Sequence, residues 1–224
     1  MTTMQELKAK ADNSDLIRKV QNISIWLAAE DAPEVEKLVG ADGQLIPLPE
    51  EYQPLGMITK DDGVTFSSEF DSEGVEAHGY LSEVREDPTS QERTFQVNAL
   101  ESNRITLQEA HGIDLSTVSL DADGNLVFDE PEIPIRQFGR IVAIGSDGAG
   151  VGEYFMGRWY PRVKVNSIDD LVWSMTDPLS YNLTYKAFPD PQLGISVRHL
   201  WAGAGFKASA ERAGFKLAAS SPGE

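Results

Sequence analysis

A mainly β fold, a β-sandwich or barrel with one flanking α-helix, follows from three features of the sequence. Residues 93–99 alternate cleanly, with Phe95, Val97 and Ala99 on one face and Thr94, Gln96 and Asn98 on the other. Residues 181–187 repeat the pattern with Tyr181, Leu183, Tyr185 and Ala187. A period of two is the mark of a half-buried strand. Turn-forming residues punctuate the chain at Asp123-Gly124-Asn125, Asp147-Gly148-Ala149-Gly150, Thr176-Asp177-Pro178 and Pro189-Asp190-Pro191. Only one strong helical signal interrupts the strands, and that balance belongs to sandwiches and barrels.

In chain order, residues 1–22 read as a polar N-terminal arm, either frayed or a short amphipathic helix that orders on a partner. The β domain spans 23–200 and opens with a strand over 23–27. Asp31 as cap, the early Pro33 and the terminal Gly40 predict a short helix over 31–40. Pro47, Pro49 and Pro54 make 45–54 an extended linker. Strands follow at 64–70, 79–85 and 93–99. Ser102 is placed to cap a helix over 103–111, which Gly112 ends. Further strands fall at 135–144, 153–165, 170–175, 179–188 and 193–200. A C-terminal extension, 201–224, repeats the phrase AGFK at 204–207 and 213–216 and reads as a weak helix or a flexible end.

Composition narrows the function. The chain has 224 residues and no cysteine, so disulfides, thiolate metal sites and a cysteine nucleophile are excluded. A reducing cytoplasm suits such a chain. No apolar run approaches the roughly 18–20 residues needed to cross a bilayer, and the first twenty residues have no signal-peptide core. The net charge is −17. Residues 1–130 carry 27 acidic against 9 basic side chains, and residues 131–224 carry 9 against 10. Nucleic-acid binding requires a basic face, and none is evident. The acidic excess is either a solvated surface or a face that repels a passing polyanion.

The motifs that resemble catalytic or ligand sites have plainer readings. Gly145, Gly148, Gly150 and Gly152 lack the Lys-Ser/Thr of a phosphate loop and precede a strand, so they read as a hairpin loop. Residues 121–130 carry spaced carboxylates, but glycine stands fourth where a calcium-binding EF-hand needs it sixth; a turn is the better reading. His78, His111 and His199 have no zinc spacing. With 36 carboxylates, a glycosidase pair could be drawn anywhere and none is singled out. No catalytic, cofactor-binding or metal-ligating residue is assigned, and no cofactor is expected. Trp159 and Trp173 lie in strand-like runs and divide between core packing and contacts between subunits.

Five segments in order resemble the tail tube proteins, or major tail proteins, of siphophages infecting actinobacteria. Residues 52–66 (YQPLGMITKDDGVTF) are similar to the family's "LG…DG(V/L)T" opening. Residues 72–79 (SEGVEAHG) resemble its acidic segment, and 94–103 (TFQVNALESN) its strand entering the helix. Residues 160–165 (YPRVKV) resemble the "PRAKV" strand, and 177–190 (DPLSYNLTYKAFPD) the closing strand. The chain departs from the family in its long polar arm, in His78 where tryptophan is usual, and in showing no immunoglobulin-like C-terminal domain.

The resemblance implies a structural subunit, not an enzyme. Its strands join those of neighbours into a ring-shaped barrel, and hexameric rings stack into a tail tube through which DNA passes without specific binding. Tape-measure, tail-tip and tail-terminator proteins are the implied partners, with assembly in the host bacterial cytoplasm, a final place in the virion tail and no membrane. On this reading Glu69, Asp71, Glu73, Glu76, Glu83 and Glu86 line the lumen or meet the next ring. Arg136, Arg140, Arg158, Arg162 and Lys164 are the corresponding basic ring-interface candidates. The alternatives are another β-fold virion component, such as a decoration or tail-tip protein, and a carbohydrate-binding β-sandwich that presents Trp201.

Overall fold

The alternating segments do form strands, and these assemble into one antiparallel sheet. The structure is a computed structural model and describes residues 2–217. The strands are β1 (Asn22–Ala29), β2 (Gln53–Pro54), β3 (Val64–Val75), β4 (Arg85–Ala99), β5 (Gly139–Asp147), β6 (Tyr154–Ile168), β7 (Tyr181–Ala187) and β8 (Arg198–Ala202). The helices are α1 (Met4–Ala11), α2 (Arg104–His111) and α3 (Ala204–Ser209). The sheet runs β2-β1-β5-β6-β7-β4-β3, with β8 beside β6. One edge of β6 pairs with β5, while its other edge serves β8 over Phe155–Trp159 and β7 over Val163–Ile168.

This sheet is not closed into a barrel, which corrects that part of the expectation. It curls so that Ile25, Leu27, Ile141 and Ala143 share a core with Phe95, Val97, Leu183 and Tyr185. Phe66, Phe95, Tyr160 and Tyr185 stack through that core with successive centroids 5.3–6.4 Å apart, the range in which aromatic pairs add to simple burial. Between β3 and β1 a cavity of ≈ 370 Å³ remains, lined by Ile23, Val64, Phe66, Ala143, Arg158 and Trp201. The strands face each other across it instead of pairing.

Residues 31–38 do not form the expected helix. Ala32, Val35 and Leu38 are buried at a spacing of three, with exposed residues between them. That period suits an extended chain of polyproline type better than the 3.6 of an α-helix. The segment lies over the second face of β1, β5 and β6, where Trp159 is completely buried beneath it. Trp159 Nε1 donates to Tyr52 Oη at 2.9 Å, and that hydroxyl donates to Pro33 O at 2.9 Å. Arg198 reaches Glu34 at 3.0 Å and Val35 O at 3.3 Å, while Arg140 donates to Ala32 O. Both guanidinium groups also lie over the Trp159 ring.

The central helix starts one residue later than the Ser102 cap implied. Asn103 Oδ1 accepts from Thr106 N at 2.9 Å, and Asn103 Nδ2 donates to Leu55 O at 2.8 Å. Gly112 ends α2 in the left-handed region, as expected of a C-terminal glycine. Two expected strands are absent. Residues 79–84 turn, with Tyr80 N bonded to Ala77 O at 3.2 Å. In 170–175, Ser174 Oγ accepts from Thr176 N at 3.1 Å and from Asp177 N at 3.2 Å, a local alternative to a ladder. The N-terminal arm carries α1, with no buried residue, and then docks: Arg18 donates to Tyr154 Oη at 2.7 Å and Arg212 pairs with Asp15 at 2.6 Å. The first AGFK lies in α3, and the second turns at Gly214. Residues 218–224 of the expected extension lie outside the described residues.

Two expected outcomes test these core contacts. Tyr52→Phe leaves the Trp159 N–H buried without its acceptor and should cost about 1–3 kcal/mol in urea denaturation, with the fold retained. Glu109 of α2 lies beside Tyr185 and Arg136, and burial pushes its carboxyl from 4.5 up to about 7. A raised carboxyl favours the fold when protonated, so its contribution is full below pH 4.5 and is lost as pH rises through about 7. Glu109→Gln should therefore flatten the stability profile between these values and exceed the parent chain in stability above pH 7.

Candidate assembly surface

Beyond Arg93, β4 leaves its neighbour β7 and continues with β3 alone. Ser68–Val75 and Arg85–Glu92 form a two-stranded arm that projects about 25 Å from the sheet at a strand's rise per residue. Residues 76–84 make its tip. Among the described residues, the outer edge of β3 pairs with no strand along its whole length. A lone hairpin of this kind is marginally stable in water, and an open edge of this length invites another chain.

The register sorts the arm's carboxylates. Glu69 stands opposite Glu92, Asp71 opposite Ser90, and Glu73 opposite Asp87, all on the face pointing away from the aromatic core. At the irregularity Asp71 and Ser72 pair with Ser90 and Pro88, so the extra residue Thr89 lies on β4 and brings Asp87 onto that face. Ser90 Oγ donates to Asp71 at 2.6 Å. Directly opposed like charges oppose pairing, and each such pair carries one cation: Lys186 bonds Glu92, and Arg85 meets Asp87 at 2.8 Å. Glu86 lies on the opposite face, where Ser72 Oγ donates to it. Glu76 and Glu83 belong to the tip. The structure thus brings all six acidic candidates onto one projection. It adds Asp87 and Glu92, which the sequence reading did not single out although they continue the same alternation.

The basic candidates do not form one patch. Arg136 donates to Glu109 O at 2.5 Å and Ala110 O at 3.3 Å, satisfying carbonyls at the end of α2. Arg140 sits 3.9 Å from Asp190 and is largely buried. Arg162 pairs with Glu30 at 2.7 Å and lies over the Phe138 ring, which Lys164 also approaches. Arg158 projects into the core-side cavity, over Phe66 at 4.0 Å. Arg140, Arg162 and Lys164 share a neighbourhood, whereas Arg136 and Arg158 lie apart from it.

Apolar side chains stand among the acids. Phe70 is 68% exposed, Tyr80 71% and Leu81 fully so. A second exposed group, Trp173 and Met175, lies on the loop before β7. Trp173 is therefore a surface residue, unlike Trp159. Among the described residues, no three His, Asp or Glu converge as a metal cluster, and no helix is long and apolar enough to cross a membrane. The sequence matches no protein-family model, and no curated protein matches it.

Because Phe70 and Leu81 contribute nothing to the core, Phe70→Ser and Leu81→Ser should leave the Tm of the dilute chain within about 2 °C. The same changes should raise the concentration at which light scattering reports self-association.

Proposed function

We propose that the chain is the structural subunit of a phage tail tube, assembling into stacked hexameric rings that conduct DNA during ejection. The observation that carries this reading is the acidic arm, a projecting hairpin with an open edge and exposed apolar side chains. An open sheet is a head-to-tail component: an edge of one subunit meets a different edge of the next, and such contacts close into rings when the rotation allows. The β3 edge and the partly covered β1 edge stand at the two ends of the strand path. Strand pairing across them would complete, between subunits, the barrel that a single chain leaves open.

The charge distribution agrees with a conduit. A lumen for DNA must not retain phosphates, and carboxylates repel them over roughly 10 Å at ~0.1 M salt. The Glu69, Asp71 and Glu73 face supplies such a surface, in the lumen or against the adjoining ring. Six-fold symmetry, the tape-measure, tail-tip and tail-terminator partners, and the virion tail as destination rest on the resemblance of the five ordered segments. Assembly would take place in the host cytoplasm.

Negative-stain microscopy of the purified chain across a concentration series, with and without tail-tip complex, tests the proposal. Hollow rings or tubes of uniform width are the expected result. A chain that stays monomeric at every concentration and with the tail-tip complex overturns it.

A further inference from the structure

Asn98 and Asn182 are cross-strand partners in β4 and β7, on the face away from the aromatic core. Their backbone carbonyls turn outward from the pair, to Thr59 N at 3.0 Å and Asp169 N at 3.2 Å. The two residues therefore form a non-hydrogen-bonded pair, the arrangement that brings side chains closest. Each amide nitrogen is held by a carboxylate: Asn98 Nδ2 donates to Asp62 Oδ2 at 3.3 Å, and Asn182 Nδ2 donates to Asp169 Oδ2 at 2.7 Å. Reversing either amide would set oxygen against oxygen, so the neighbours dictate the orientation.

The consequence is a pair of amide oxygens, Asn98 Oδ1 and Asn182 Oδ1, both buried and both without a donor among the described residues. Both residues line a cavity of ≈ 150 Å³ with Asp62, Thr65 and Gln96. That volume holds several water-sized atoms. No Lys, Arg or His lines it among the described residues. Asp62 Oδ2 also accepts from Thr59 Oγ1 at 2.9 Å, which leaves its second oxygen uncommitted. Every side-chain group that could coordinate is an oxygen, and the charge nearby is negative. Orphaned buried acceptors are costly, and a hard cation relieves several at once.

We infer that this cavity is a calcium site, with Asp62, Asn98 and Asn182 as its protein ligands and Thr65 and Gln96 within the same enclosure. Ca²⁺ accepts carboxylate and amide oxygens in irregular geometry, whereas Mg²⁺ demands a near-ideal octahedron. With one carboxylate in the inner set, the affinity belongs to the weak end, a Kd on the order of 10⁻⁴–10⁻³ M. The ion would tie the turn before β3 to β4 and β7 at the end of the β3–β4 ladder opposite the acidic arm. No linear motif announces such a site, because its ligands come from three separated segments. The inference does not depend on the tail-tube reading.

Flow dialysis with radioactive Ca²⁺ on the full chain, together with thermal melts in Ca²⁺ and Mg²⁺, tests it. One saturable ion per chain is expected, with Tm raised by about 3–6 °C at a tenfold excess over Kd and little response to Mg²⁺. Asp62→Asn and, separately, Asn182→Ser should remove the saturable ion and the shift. Asp121→Asn, a change at a remote surface turn, should keep both. Absence of saturable binding overturns the site, as does an equal shift in the Asp62→Asn and Asn182→Ser chains, which would mark diffuse attraction to the acidic surface.

Discussion

The β5–β6 hairpin has no solvent-facing side along its centre, and the rest of the structure is arranged to cover it. Ile141 and Ala143 face one core, Val142 and Ile144 the other. Across the pair, Tyr160 and Trp159 divide in the same way. A strand buried on both faces needs two covering layers. The curled sheet itself provides the first, by bringing β4 and β7 over the aromatic stack. The second is the irregular segment of residues 31–54, which has few backbone ladders of its own. It is anchored instead by the hydrogen-bonded relay from Trp159 through Tyr52 to Pro33 and by the guanidinium groups of Arg140 and Arg198.

That requirement explains how the cationic side chains are used. Four of the five basic candidates come from β5, β6 or the strand leading into them, and Arg136 precedes them closely in the chain. Their charges are spent on carbonyls, carboxylates and aromatic rings within the subunit. A guanidinium with a planar fork suits such bonds better than an ammonium. In the acidic half only some carboxylates, such as Glu30 and Glu34, serve as partners of those cations. A further group gathers on the arm, where Glu69, Asp71 and Glu73 share a face with Asp87 and Glu92 that no layer covers.

The arm and the base of the sheet therefore differ in kind. At the base, β3 pairs with a strand that is itself held by β7, and Val64 and Phe66 pack on the core. Farther out, the same two strands keep their register without a covering layer. Local stability falls along such an element because buried contacts are lost before backbone bonds are. An outer hairpin of this kind is suited to being completed by another chain. The polar cavity around Asn98 and Asn182 sits in the base, at the end of the β3–β4 ladder opposite the arm.

Much of the fold was legible in the sequence because period-two alternation is a local property. The strands at 93–99 and 181–187, the helix at 104–111 and the glycine that ends it all appear where the pattern puts them. The acidity of residues 69–87 was equally plain. Three matters were decided only by tertiary structure. Residues 31–38 became a covering segment because a buried surface lay beneath them, and no local preference outweighs that area. Residues 71–75 and 85–92 joined the strands on either side because each completes the other's ladder, although neither looks like a strand alone. The side chains at Arg136, Arg140 and Arg162 found partners 26 to 132 residues away in the chain, and distances of that kind leave no trace in composition or spacing. Charge and periodicity are written residue by residue, whereas burial and pairing depend on which surfaces the folded chain brings together.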